Sequence, residues 1–162
     1  MNKMSGETTM KEIIIDDLNE QSPYESHYKR QANYYETDQM GIIHHSNYVR
    51  WFEEARMNFM EEIGFPYAKV EELGIIVPVL GVNCQFRTMV KFGDTVDIYT
   101  KITKFTGLKM NIEYRVVDHA TGMIRCTGES SHAFLDKEYK PIRMKRDYPD
   151  LYEMFMNYVA VE

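Results

Sequence analysis

Between residues 46 and 64 the apolar positions Val49, Phe52, Ala55, Phe59 and Ile63 recur at spacings of 3, 3, 4 and 4, the signature of one helix face. Tyr48, Trp51, Met57 and Met60 widen that stripe well beyond one face, which predicts a largely buried helix of about four turns. Ser46 or Asn47 supplies the N-cap, Gly64 the stop, and Pro66 opens a short second helical piece that ends at Gly74. From Pro78 the period changes to two. Leu80, Val82, Cys84 and Phe86 alternate with Gly81, Asn83, Gln85 and Arg87. Val96, Ile98 and Ile102 follow the turn-like Phe92, Gly93 and Asp94, and Leu108, Met110, Ile112, Tyr114 and Val116 alternate with polar residues as antiparallel strands do. The sequence DHATG, residues 118–122, turns into a long strand that runs to about Asp136.

Ahead of the helix, residues 28–36 read as a strand that the TDQMG segment breaks. Residues 150–158 read as a short terminal helix. The order is strand, buried helix, then a meander of four strands, which is an α+β design with one antiparallel sheet of five strands laid on one helix. Such a sheet has two free edges, and pairing edge to edge with a second copy covers one of them.

Composition narrows the class. A chain of 162 residues is most simply one domain, and 44% hydrophobic with 27% charged residues is a globular composition. Residues 1–25 are polar and acidic apart from Ile13 to Ile15, so they read as an extension before a single domain at 26–162. A net charge of −6 argues against nucleic acid as a partner. The one basic cluster, residues 137–146, holds five basic residues and one acidic one. It is either a solvated tail or a dock for a phosphate-bearing ligand. Cys84 and Cys126 show no metal-ligand spacing, so the reducing cytoplasm is the natural compartment. No run approaches the roughly 18 apolar residues that cross a bilayer.

The chemistry concentrates in YYETDQMGIIHHSNYVRWFEEAR, residues 34–56. The chain has no GxSxG, P-loop, GxGxxG or HExxH motif. His44 and His45 are adjacent with no carboxylate or cysteine completing a set, so no metal is expected. Asp38 precedes a helix N-terminus, whose free N–H groups attract a carbonyl oxygen gaining negative charge. Gly41 permits a tight turn there. A carboxylate so placed could attack an acyl carbonyl or activate water. No strong acid partner accompanies it, which suits a thiolate leaving group, since a thiol has a pKa of roughly 8.5. The same spacing also fits an Asp38 that only caps a turn.

The pattern Y-x-x-T-D-x-x-G-x-x-x-H-x-x-Y-x-x-x-F-E-x-A-R, read from the Tyr34, Tyr35 pair, resembles the 4-hydroxybenzoyl-CoA thioesterase-like branch of the hotdog-fold acyl-CoA thioesterases. The similarity continues through VPVLGVNCQFRTMVKFGDTVDIYTKI and HAFLDKEYKPIRM, so it spans about residues 26–147. It implies a hotdog fold, a homodimer often paired into a homotetramer, and an interfacial site for an acyl-CoA substrate. It implies no cofactor. By the same resemblance Asp38 is the catalytic carboxylate, His45 an active-site neighbour and Tyr48 a cleft wall. Glu53 is an alternative carboxylate, because another hotdog branch uses a glutamate on the central helix; a salt bridge to Arg56 across one turn is the preferred role. Lys140, Arg143 and Lys145 are the candidates for the CoA phosphates. Two other readings stay open: a non-catalytic acyl-CoA-binding module, and an enoyl-CoA hydratase. The hydratase pattern GD-x-N-P-x-H is absent, and Asp38 and His45 stand seven positions apart.

Overall fold

The computed structural model describes residues 24–160. Five strands, β1 (Ser26–Gln31), β2 (Val79–Phe86), β3 (Thr95–Phe105), β4 (Lys109–Asp118) and β5 (Ile124–Ala133), form one sheet in the order β1-β3-β4-β5-β2, with every neighbouring pair antiparallel. The helices are α1 (Ser46–Glu62), α2 (Tyr67–Leu73), α3 (Met144–Asp147) and α4 (Pro149–Met156). The sheet wraps α1. This is the expected α+β hotdog architecture.

Packing follows the sequence periods. Val96, Ile98 and Ile102 on β3, Met110, Ile112, Tyr114 and Val116 on β4, and Cys126 on β5 are buried on the face that receives α1. Tyr48, Trp51, Phe52, Ala55 and Phe59 of α1 meet them, and the Phe52 and Tyr114 rings stack at 4.4 Å and 7°. Burying aromatics of this size contributes about 1.5–3 kcal/mol each. The helix lies close because β5 carries Gly128 beneath it: a Cβ there would stand 2.5 Å from Phe52 and 2.5 Å from the Asn83 carbonyl oxygen.

Four expectations are corrected. Residues 79–105 do not continue a meander, because β2 pairs with β5 at the far edge and only β3, β4 and β5 run consecutively. The first strand lies at Ser26–Gln31 rather than residues 28–36, and Tyr34–Glu36 form a 3-10 turn. Helix α1 is not buried all round, since Val49, Arg50, Glu53 and Met57 form an exposed stripe. Its N-cap is His45, one residue earlier than expected and without a side-chain cap bond. The expected extension at residues 1–25 falls largely outside the described residues. Its last two positions belong to the packed unit: Tyr24 donates to Glu62 at 2.6 Å, and Glu25 pairs with Arg115. Among the described residues no helix is long and apolar enough to cross a membrane.

Candidate active site

The segment that feeds α1 is fixed from beneath by Glu36. This carboxylate is 3% exposed and accepts hydrogen bonds from Arg30 Nη1 at 2.6 Å, Trp51 Nε1 at 2.7 Å and the Asn33 amide at 2.9 Å. Burial pushes its pKa up, and the bonds from Arg30, Trp51 and Asn33 outweigh that and hold it below the ordinary value. The Glu36 carbonyl accepts from the His44 amide and from Asn47 Nδ2, both at 2.9 Å. One residue therefore ties β1, the loop and the start of α1 together. Its backbone, side chain and partners were not singled out from the sequence; the buried Trp51 N–H, which needs an acceptor, was the available signal.

Asp38 sits two residues beyond this anchor. Its amide donates to the Ile42 carbonyl at 2.8 Å, its own carbonyl accepts from the Gly41 amide at 3.0 Å, and Oδ1 accepts from the Met40 amide at 2.8 Å. Gly41 has φ +77, a left-handed conformation that closes this turn and favours glycine. The Gly41 N–H is thus engaged within the turn. The amide of His45, at the N-cap, has no acceptor among the described residues. Asp38 Oδ2 likewise makes no hydrogen bond among them.

Asp38, His45 and Tyr48 line one cleft of about 230 Å³, together with Phe86, Arg87 and Met89. The His45 ring lies 4.1 Å from that of His44 and 6.4 Å from Phe86, while His44 Nδ1 is bonded to Ser46 Oγ at 2.8 Å. No hydrogen bond joins Asp38 to His45 among the described residues. Tyr48 is buried against Trp51 and Phe86, and burial is the main cause that pushes its phenol up to about 12. It is a neutral wall.

The other sequence candidates lie elsewhere. Glu53 is exposed on α1 and borders a second cavity of about 550 Å³, between α1, α2, β4 and β5, which Arg56 also lines. The expected Glu53 to Arg56 salt bridge is not formed among the described residues, because Arg56 Nη1 donates instead to the Tyr114 hydroxyl at 3.0 Å. Lys140, Arg143 and Lys145 are exposed on the C-terminal segment, outside the Asp38 cleft of the same protomer. Lys140 reaches Glu138 at 3.3 Å, and Lys145 lies over the Tyr152 ring at 5.7 Å. Arg87, which borders the cleft, was not singled out from the sequence. Among the described residues no three histidine, cysteine, aspartate or glutamate side chains are grouped to hold a metal ion.

One antiparallel sheet wrapped round one helix is the hotdog fold, with a cleft at the loop that feeds the helix. Residues 33–155 match the thioesterase-like superfamily. A Bacillus subtilis (strain 168) protein named "Putative acyl-CoA thioesterase YneP" is 35% identical over 121 residues, 74% of this chain and 87% of the relative. Among solved structures, a DHNA-CoA thioesterase from Staphylococcus aureus is similar with a TM-score of 0.77 and 33% identity, over 82% of this chain and 89% of that one. A hypothetical protein, TT1821, from Thermus thermophilus is similar with a TM-score of 0.74 and 31% identity, over 82% of this chain and 96% of that one. The chain belongs to the thioesterase-like superfamily.

Proposed function

We propose that the protein is an acyl-CoA thioesterase in which Asp38 is the general base or nucleophile and the His45 amide, at the N-terminus of α1, polarises the thioester carbonyl. The observation that carries this reading is the environment of Asp38. One carboxylate oxygen is fixed by the Met40 amide, the other has no partner among the described residues, and Asp38 lines a cleft walled by Tyr48 and Phe86. The names of the Bacillus and Staphylococcus relatives support CoA thioesters as the substrate class.

The chemistry needs few parts. Attack on the carbonyl carbon, by the Asp38 carboxylate or by water that gives its proton to Asp38, forms a C–O bond and places negative charge on the carbonyl oxygen. A helix N-terminus and a free amide stabilise that charge. Collapse breaks the C–S bond and releases the CoA thiolate, which needs no strong acid to leave; on the carboxylate route the acyl group is then an anhydride on Asp38, which water hydrolyses to the free acid, restoring the carboxylate. His45 then orients the neighbouring groups, and Tyr48 shapes the cleft.

The active unit is a homodimer built by pairing β2 with β2 of a second copy. Strand β2 is hydrogen-bonded on one side only, and Val79, Leu80, Val82 and Phe86 are 50%, 54%, 44% and 54% exposed. A free edge this apolar is a pairing surface. A two-fold pairing is antiparallel, so the Val79 end of one strand meets the Phe86 end of the other. It also carries the C-terminal segment with Lys140, Arg143 and Lys145 toward the other protomer's Asp38 cleft, where the CoA phosphates would need them.

A thiol-release assay over acyl-CoAs of graded chain length and aromatic acyl-CoAs tests the assignment. Asp38→Asn keeps the shape of the side chain and lowers kcat by about 10²–10⁴-fold, the usual range for losing a general base. His45→Ala does less harm. Near-normal turnover in Asp38→Asn together with a folded, inactive Glu53→Gln moves the chemistry to the helix and overturns the assignment. Tight acyl-CoA binding without thiol release in the native chain makes the protein a binding module.

A further inference from the structure

The larger cavity, about 550 Å³, falls in the size range of small-molecule sites, ~300–1,000 Å³; its apolar walls include Met57, Met60, Ile75, Met110, Ile112 and Phe134, and Glu53, Arg56, Tyr67, Glu71 and Lys137 also border it. Its floor is polar. His132 lines it while being only 1% exposed, and a line of hydrogen bonds runs behind the ring. Arg56 Nη1 lies 3.0 Å from the Tyr114 hydroxyl, which lies 2.7 Å from Ser130 Oγ, which lies 2.7 Å from His132 Nε2.

The direction of this line is set at its first member. A guanidinium only donates, so Tyr114 accepts from Arg56 and turns its own hydrogen to Ser130. Ser130 then donates to His132 Nε2, which must be an unprotonated acceptor. The reverse order leaves the buried Tyr114 hydrogen without an acceptor. Burial, with Arg56 adding to it, pushes the His132 pKa down to about 4, so the ring is neutral at neutral pH. A neutral ring with an accepting Nε2 carries its hydrogen on Nδ1. Nδ1 has no partner among the described residues. The buried His132 ring therefore brings an unspent N–H donor to the cavity beside Met110, Ile112 and Phe134.

We infer that this cavity receives the acyl group and that the His132 Nδ1–H recognises an oxygen acceptor at its far end, selecting hydroxyl- or oxo-bearing acyl groups over plain hydrocarbon ones. The inference rests on the thioesterase reading above. In register, His132 stands opposite Val79, at the start of β2. The antiparallel β2 pairing sets that end beside the other protomer's Phe86, which lines the Asp38 cleft. The acyl pocket of one protomer then serves the carboxylate of the other. The Asp38 cleft, at about 230 Å³, holds the reacting centre, and the acyl tail extends into the larger space.

The test uses the full chain and two matched pairs of acyl-CoAs, one aromatic and one aliphatic, each differing only by a hydroxyl at the far end of the acyl group. The native protein turns over the hydroxylated member with kcat/KM at least about fivefold higher in at least one pair, because the parent compound leaves the donor unpaired. His132→Phe keeps a ring but no donor and brings the ratio to about one. His132→Gln retains an N–H and keeps part of the preference, and it serves as the reading if the Phe variant does not fold. Calorimetric binding of the same four thioesters to Asp38→Asn gives the ratio without turnover. A ratio near one for both pairs in the native chain, or a ratio unchanged in both His132 variants, overturns the inference. Thiol release that persists in Asp38→Asn overturns the catalytic assignment alone, since the hydroxyl preference is still read.

Discussion

Glu36 holds the segment that carries Asp38, the proposed catalytic carboxylate, through three side-chain hydrogen bonds. Removing one partner of a buried, hydrogen-bonded ion pair typically costs about 3–5 kcal/mol, because the remaining charge is left poorly solvated. Trp51 donates to one Glu36 oxygen and Asn33 to the other, so Glu36→Gln keeps an acceptor for only one of them and removes the charge facing Arg30, which is then paired with Glu54 alone. The expected loss is about 3 kcal/mol, or a Tm lower by ~6–12 °C for a chain of this size. The pH dependence has a definite sign. Because the folded-state pKa of Glu36 is lowered, the unfolded chain binds the proton more readily. The stabilisation is therefore full above the unfolded value, about 4.3, and is lost as pH falls through the lower folded value. Urea midpoints measured from neutral pH downward show a steeper acid loss for the native chain than for Glu36→Gln; parallel profiles would remove Glu36 from this role. At this scale the sequence was partly legible. Asp38, His45 and Tyr48 stood out because loop chemistry lies in a contiguous motif. Glu36, Arg87 and His132 did not, since their meaning comes from partners 6 to 76 positions away, such as Arg30 for Glu36 and Arg56 for His132.

At the level of elements, the helix and the strands with two-fold periodicity were readable because each buries one face against the other. Strand β2 was readable as a strand but not in its place, since alternation reports which face is apolar and says nothing about which neighbour it joins. The same limit explains the helix. Val49 and Met57 extended the apolar stripe in the sequence, yet they face outward on the single protomer, beside Glu53. Gly128 joins the two elements. It lies opposite Cys84 of β2 and under Phe52 of α1, and a methyl group there meets a backbone oxygen and a stacked ring, neither of which yields easily. Gly128→Ala should lower stability by about 1–3 kcal/mol, the usual effect of overpacking, and weaken β2 pairing with it. Thermal melts and amide exchange along β2 check both effects. Unchanged exchange at residues 82–86 would mean that the helix alone absorbs the strain.

For the whole molecule, the proposed dimer gives the arrangement of the two cavities a reason. In one protomer the Asp38 cleft lies at the Phe86 end of β2, and the larger cavity, lined by Val77, at the other. In the proposed dimer, antiparallel pairing of β2 across a two-fold axis would bring each cleft beside the other protomer's cavity, so that two complete sites would form together. Introducing like charges at Leu80 and Val82 of the free edge, as Leu80→Lys with Val82→Lys, places four lysines close together at the two-fold and opposes pairing. Both side chains are already exposed in the protomer, so the substitutions leave its core intact. Sedimentation should then report a monomer with native-like helix and strand content. Thiol release should fall by at least about a hundredfold, as expected when substrate positioning is lost even though Asp38 and its turn are untouched. Raising the protein concentration until dimers re-form should restore activity in step with the dimer fraction. A folded monomer that retains native kcat would show that one chain carries a whole site, and would overturn the composite arrangement while leaving Asp38 in place.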